Sequence, residues 1–266
     1  MASMHCHYYS YSLKRGVDIN VIIPTPEGNE QITDEKTKKA YSYERGLPVL
    51  YLLHGAFGDY SSWMRFSNIE RYAQKHCCAV VMASAENSFY QDMYRGSRFF
   101  TFFTEELPAF AGSIFPISGR REDTYVAGLS MGGYGAWFLA LSRPDLYGKA
   151  ASLSGALDIV TAYREIKKGT IDGPFSWDQI FENPEQLSGS RADLLALYDR
   201  CSAAGTVPEL YFACGTEDFL YDMNREIKTR LEEKGAKAVF EEGEGGHTWD
   251  FWDKYIRNVL QWMIPL

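Results

Sequence analysis

Apolar residues in this chain gather into short continuous runs, and segments of helical period separate those runs. Pro48-Val49-Leu50-Tyr51-Leu52-Leu53 ends at His54-Gly55, and Cys78-Ala79-Val80-Val81-Met82-Ala83 forms a second run after a helical stretch over 68–75. Runs apolar at every position suit central strands buried on both faces. The alternation continues with a helix over 104–110, a strand over 124–127, a helix over 133–141 and a strand over 150–153. It lapses over 156–204, a helical and irregular stretch. It resumes with strand 209–214, helix 223–234, strand 238–241 and helix 249–263. Upstream, 8–24 reads as strand, turn, strand, broken at Lys14-Arg15-Gly16, and the polar stretch 26–45 reads as a surface connection. Strand-helix alternation of this kind predicts an α/β fold, a mostly parallel central sheet with helices on both faces. Its ligand would bind beyond the carboxyl ends of the strands.

The 266 residues suit one domain, 1–266, with 156–204 as a small helical cap insertion over one end of the sheet. A formal charge of −8 argues against nucleic acid and anionic membrane surfaces, since both demand a basic face. No apolar run approaches the length of a membrane span. The polar, aromatic stretch 1–12 lacks the apolar core of a secretory signal, so the expectation is cytoplasmic. Five cysteines (Cys6, Cys77, Cys78, Cys201, Cys214) with no CxxC agree with a reducing compartment. His5-Cys6-His7 has the residue types of a metal site but no further ligand set, so an ordinary first strand is the expectation there.

Gly128-Leu129-Ser130-Met131-Gly132 matches G-x-S-x-G, a modest signal alone. Its setting strengthens it: a strand precedes it, and a helix rich in small residues follows. The glycines suit a tight turn with a strained nucleophile, because neighbouring Cβ atoms would clash. Ser130 is therefore the candidate nucleophile.

A serine hydroxyl needs a base. Of five histidines, His5 and His7 lie in the first strand and His76 in a connection, while His54 ends a central strand ahead of the serine. His247, in a glycine-rich loop after the last strand, remains. A carboxylate should orient it. Asp218 in the turn after strand 209–214 is the first choice, with Glu217 and Asp222 as alternatives. The order Ser130, Asp218, His247 is one in which a nucleophile-elbow hydrolase places its triad. Oxyanion donors are expected from the backbone N–H of Met131 and of Ala56, with Phe57 as the alternative to Ala56 and His54 as a loop brace.

Three segments, His54-Gly55-Ala56-Phe57-Gly58-Asp59 with Trp63 following, Gly128 to Gly133, and Gly246-His247-Thr248-Trp249, together resemble the esterase D-like family of α/β-hydrolases. Within it they are most similar to bacterial tributyrin and acetyl esterases, with feruloyl esterases, S-formylglutathione hydrolases and antigen 85-type mycolyltransferases as relatives. The resemblance spans nearly the whole chain. It implies an α/β-hydrolase fold and a serine carboxylesterase that cleaves short acyl or small aromatic esters through an acyl-serine. It also implies a small-molecule ester as the partner and no cofactor or metal, and it is compatible with self-association. Phe57, Trp63, Trp177 and Phe219 are the expected substrate contacts, with Trp249 and the 89–92 loop nearby. Competing readings are a thioesterase, an acyltransferase or peptidase, and a binding protein on a hydrolase scaffold. The last usually lacks a triad member, and none is missing here.

Overall fold

A computed structural model describes residues 1–25, 43–169 and 175–266. Eight strands form one sheet in the order β1-β2-β4-β3-β5-β6-β7-β8. They are β1 (Ala2–Ser10), β2 (Arg15–Ile23), β3 (Val49–Leu53), β4 (Ala79–Ala83), β5 (Thr124–Leu129), β6 (Lys149–Leu153), β7 (Glu209–Gly215) and β8 (Val239–Gly243). β1 and β2 form an antiparallel hairpin, and β2 joins β4 antiparallel. From β4 to β8 every pairing is parallel, which confirms the mostly parallel sheet.

The continuous apolar runs are explained by the pleat. In β3, Val49, Tyr51 and Leu53 enter one core layer, while Leu50 and Leu52 enter the layer on the opposite face. The first layer is covered by helix Met131–Ser142, whose residues from Met131 to Leu141 are all buried. It is apolar all round because sheet and neighbouring helices enclose it. The second layer is covered by helices Ile69–Lys75 and Trp249–Met263. In the latter, Phe251, Trp252, Tyr255, Ile256, Val259, Leu260 and Met263 are buried. That spacing makes one helical face, and each such side chain contributes about 1.5–3 kcal/mol by leaving water.

Two elements differ from the sequence expectation. The helix expected over 104–110 begins earlier, as Phe99–Thr101, a π-wound Phe102–Glu106 and Leu107–Ile114 running on from one another. Burial of Phe99, Phe102 and Phe103 holds this irregular winding in place, a tertiary effect that helical periodicity does not register. β1 begins well before residue 8, because Ala2, Met4, Cys6 and Tyr8 pack on the core from alternate positions. The 26–45 connection lies, up to residue 42, outside the described residues. Within 156–204, Asp158 caps helix Ile159–Lys167 and Asp193 caps Leu194–Ala204, each accepting two backbone N–H bonds. No helix among the described residues is long and apolar enough to cross a membrane.

Candidate active site

β5 ends at Leu129, and helix Met131–Ser142 starts two residues later. Ser130 takes the whole turn, at φ 54° and ψ −119°. A non-glycine residue there is strained by roughly 1–3 kcal/mol. Three backbone bonds hold it: Ser130 N–H donates to the Leu153 carbonyl at 2.8 Å, and the Ser130 carbonyl accepts from Tyr134 N–H at 3.1 Å and from Ala156 N–H at 3.4 Å. The flanking glycines are a matter of space. A Cβ on Gly128 would sit 2.3 Å from the Gly132 carbonyl oxygen, and one on Gly132 would sit 2.4 Å from that of His54.

The loop after β8 brings His247 over the serine, with Nε2 3.0 Å from Ser130 Oγ. Its Nδ1 lies 2.9 and 3.1 Å from the two carboxylate oxygens of Asp218. The Asp218 side chain is fully buried, and its Oδ1 also accepts the Leu220 N–H at 2.9 Å. An acceptor on Nδ1 fixes that nitrogen as the protonated one and leaves Nε2 free to take a proton. Phe219 and Trp252 close on the imidazole at centroid distances of 4.6 and 4.9 Å. Of the alternative acids, Asp222 is exposed at the start of helix Tyr221–Glu233. Glu217 is exposed too, but it is bonded to the His247 loop through the Gly245 N–H. The structure thus brings Ser130, His247 and Asp218 into one hydrogen-bonded chain.

The loop after β3 carries Gly55 and Ala56 to the same place. Phe57 N–H is already committed, donating to Asn87 Oδ1 at 2.9 Å. Ala56 N–H donates to no group among the described residues, and Met131 N–H is the first of its helix, where no intrahelical carbonyl is available. Between the two candidates from this loop, the structure therefore favours Ala56. His54 is buried and bonded on both ring nitrogens, and burial pushes its pKa below the ordinary value.

A cavity of about 690 Å³ opens above Ser130. Phe57 and Phe219 line it, together with Trp249 and Phe89. Trp63 and Trp177 stand behind the wall. Trp63 is buried, donates Nε1–H to the Leu53 carbonyl and packs edge-on against Trp249 at 5.2 Å. Trp177 packs against Phe89 at 5.3 Å and Phe181 at 5.5 Å. Both indoles support pocket residues, because each is drawn into the core by more apolar contact than the cavity offers. Sequence reasoning missed Phe66, Ala162, Ile166 and Phe175 in the lining and Asn87 beneath the oxyanion loop. Ala162 and Ile166 share a face of helix Ile159–Lys167 with the buried Ile159, a spacing that marks an inner face but not which cavity it meets, while Phe175 comes from an irregular segment.

Elsewhere, His5 and His7 both reach Asp18 across the β1–β2 hairpin at 3.0 Å. Among the described residues no group of three or more His, Cys, Asp or Glu is arranged to hold a metal ion.

The family model described as "Putative esterase" matches residues 36–263. An acetyl esterase of Caldicellulosiruptor saccharolyticus is 37% identical, over 99% of this chain and 98% of its own length. Among solved structures, the fluorophosphonate-binding serine hydrolase F of Staphylococcus aureus superposes with a TM-score of 0.87 at 30% identity, covering 100% of this chain and 99% of that one. An S-formylglutathione hydrolase from the same species gives a TM-score of 0.83 at 30% identity, covering 99% and 98%.

Proposed function

This chain belongs to the Esterase family, and from that premise we propose that it is a serine carboxylesterase acting on uncharged short-chain acyl or small aromatic esters. One observation carries the reading: the Ser130–His247–Asp218 chain of hydrogen bonds stands at the floor of an apolar cavity.

In the proposed reaction Ser130 Oγ attacks the ester carbonyl while His247 Nε2 takes its proton. The oxyanion of the tetrahedral intermediate accepts bonds from the N–H groups of Met131 and Ala56. Collapse breaks the acyl–oxygen bond as His247 returns the proton to the leaving alcohol. Water, deprotonated by the same nitrogen, then attacks the acyl-serine and releases the acid. Asp218 holds the imidazole in its tautomer and stabilises the imidazolium that forms twice per cycle.

The lining favours a neutral substrate. Phe57, Phe66, Phe89, Ile166, Phe175 and Trp249 supply aromatic and aliphatic surface, and no Lys, Arg, Asp or Glu is among the described residues that bound the cavity. A glutathione thioester carries carboxylates that this wall would leave unpaired. The test is hydrolysis of p-nitrophenyl esters from acetate to decanoate beside methyl ferulate and S-formylglutathione. Rates highest for a neutral short acyl or feruloyl ester support the proposal. Preference for the thioester overturns the substrate class, and no turnover of any of them overturns the activity.

A further inference from the structure

We propose that His54 is the residue that aims one oxyanion donor, through a neutral imidazole protonated on Nδ1 that locks the Gly55–Ala56 peptide plane. The inference rests on the serine esterase reading above.

The tautomer follows from the partners. Ala85 N–H lies 2.8 Å from His54 Nε2, and a backbone amide can only donate, so Nε2 must present its lone pair. In a neutral imidazole the proton is then on Nδ1. Nδ1 lies 2.6 Å from the Gly55 carbonyl oxygen, which can only accept. The two bonds demand the same tautomer, and neither survives in the other one. Burial at 1% exposure keeps the ring neutral, since the charged form would lose its water and clash with the Ala85 amide proton.

The consequence for catalysis comes from peptide geometry. The Gly55 carbonyl and the Ala56 N–H belong to one planar trans unit and point in opposite directions. Fixing the carbonyl toward His54 fixes the N–H away from it. Gly55 itself abuts the elbow, since a Cβ there would lie 3.3 Å from Ser130 Cβ, and Gly55, Ala56, Ser130 and Met131 share the cavity wall. The opposite orientation of this peptide would present the carbonyl oxygen to the oxyanion, a repulsive contact.

Neighbouring bonds hold the loop without replacing this one. Gly58 N–H donates to the same Gly55 oxygen at 3.2 Å, Tyr90 OH donates to the His54 carbonyl at 2.9 Å, and Asn87 takes the Phe57 N–H. The Gly55 and His54 carbonyls and the Phe57 N–H are thus engaged, and the Ala56 N–H is left with no acceptor among the described residues. His54 touches neither substrate nor nucleophile in this scheme; it is a positioning residue.

Two substitutions separate its two bonds. An asparagine amide falls near the place of Nδ1 and a glutamine amide near that of Nε2. His54→Asn therefore keeps a donor for Gly55, and His54→Gln keeps an acceptor for Ala85 alone. For His54→Gln we expect kcat to fall on the order of 10²-fold, near the loss of a donor. Affinity for a trifluoromethyl ketone, which forms the tetrahedral adduct, should fall by a similar factor, with KM nearly unchanged. His54→Asn should stay within about tenfold of the parent. Equal losses in both variants, or none in His54→Gln, would overturn the assignment. Should neither variant fold, imidazole ¹⁵N–¹H correlation spectra of the unaltered protein decide it. A proton on His54 Nδ1 supports the proposal, and one on Nε2 refutes it. An absence of any esterase turnover in the parent would instead strike the underlying reading, and the spectra distinguish that case.

Discussion

Glu217 binds both polar atoms of the Gly245 main chain: its carboxylate accepts the Gly245 N–H at 2.6 Å, and its own N–H donates to the Gly245 carbonyl at 3.1 Å. Glu217 precedes Asp218, and Gly245 comes two residues before His247, so the turn that carries the proposed acid grips the loop that carries the proposed base. Glu217→Ala removes the charge-assisted half of this grip. The expected result is a fall in kcat of about tenfold, the equivalent of one such bond at roughly 1.5 kcal/mol, with KM unchanged. Steady-state kinetics check this, and an unaltered kcat would show that the loop holds His247 without the clamp.

Ser130→Ala should abolish turnover, with a loss in kcat on the order of 10⁶ and a thermal midpoint no lower than the parent's. The strained turn contributes nothing that a methyl side chain cannot occupy equally well. Residual activity near the parent's, in a preparation free of host esterases, would refute the nucleophile.

Asp218→Asn keeps the shape of the buried carboxylate but supplies an amide that can stabilise the wrong histidine tautomer. A loss on the order of 10⁴ is expected. Asp222→Asn, on the exposed start of helix Tyr221–Glu233, should leave kcat within about twofold. The reverse ranking of the two variants would transfer the role of acid to Asp222.

Ala162 lines the cavity from helix Ile159–Lys167, and its small side chain leaves space beside the bulkier Ile166 and Phe175 in the same wall. Ala162→Trp should fill part of that space. Decanoate hydrolysis is expected to fall at least about tenfold relative to acetate hydrolysis, the cost of excluding one or two methylenes. An unchanged ratio would place the acyl chain along another part of the cavity.

The sequence made the sheet legible because its strands are buried on both faces, so that β3 and β4 read as unbroken apolar runs. The tight turn around Ser130 was legible because Gly128 and Gly132 each meet another backbone at under 2.5 Å, a steric demand that only one residue type satisfies. Tryptophans gave no such signal. Trp63, Trp177 and Trp249 have the same composition and similar neighbours, yet Trp249 alone of the three lines the cavity. What decides between wall and backing is the packing partner: Leu53 and Trp249 for Trp63, Phe89 and Phe181 for Trp177. Phe181 is only four residues from Trp177, but Trp249 for Trp63 and Phe89 for Trp177 lie far away in the chain, where periodicity is blind. Phe175 and Asn87 were missed for the same reason, since each acts from an irregular segment.

The buried, neutral His54 also sets a pH dependence of stability. Its pKa in the folded protein is lowered from the ordinary 6.5, with desolvation as the leading cause, while the unfolded chain titrates near the ordinary value. Above that value both states hold neutral histidine, and His54 contributes no pH dependence. Below it the unfolded chain takes up a proton that the folded protein refuses, so stability is lost as pH falls, by at most about 1.4 kcal/mol per pH unit, until the folded pKa is reached. In His54→Gln this group no longer titrates, and Asp59, whose lowered pKa the His54 charge helps to set, titrates below the pH range compared. Urea denaturation of both proteins between pH 7.5 and pH 5, written as about half-unit steps, should show the parent losing stability faster below about 6.5. Parallel curves across that range would mean that His54 takes up a proton in the folded state as readily as in the unfolded one, and the Ala85 bond to Nε2 would then have to break near neutrality.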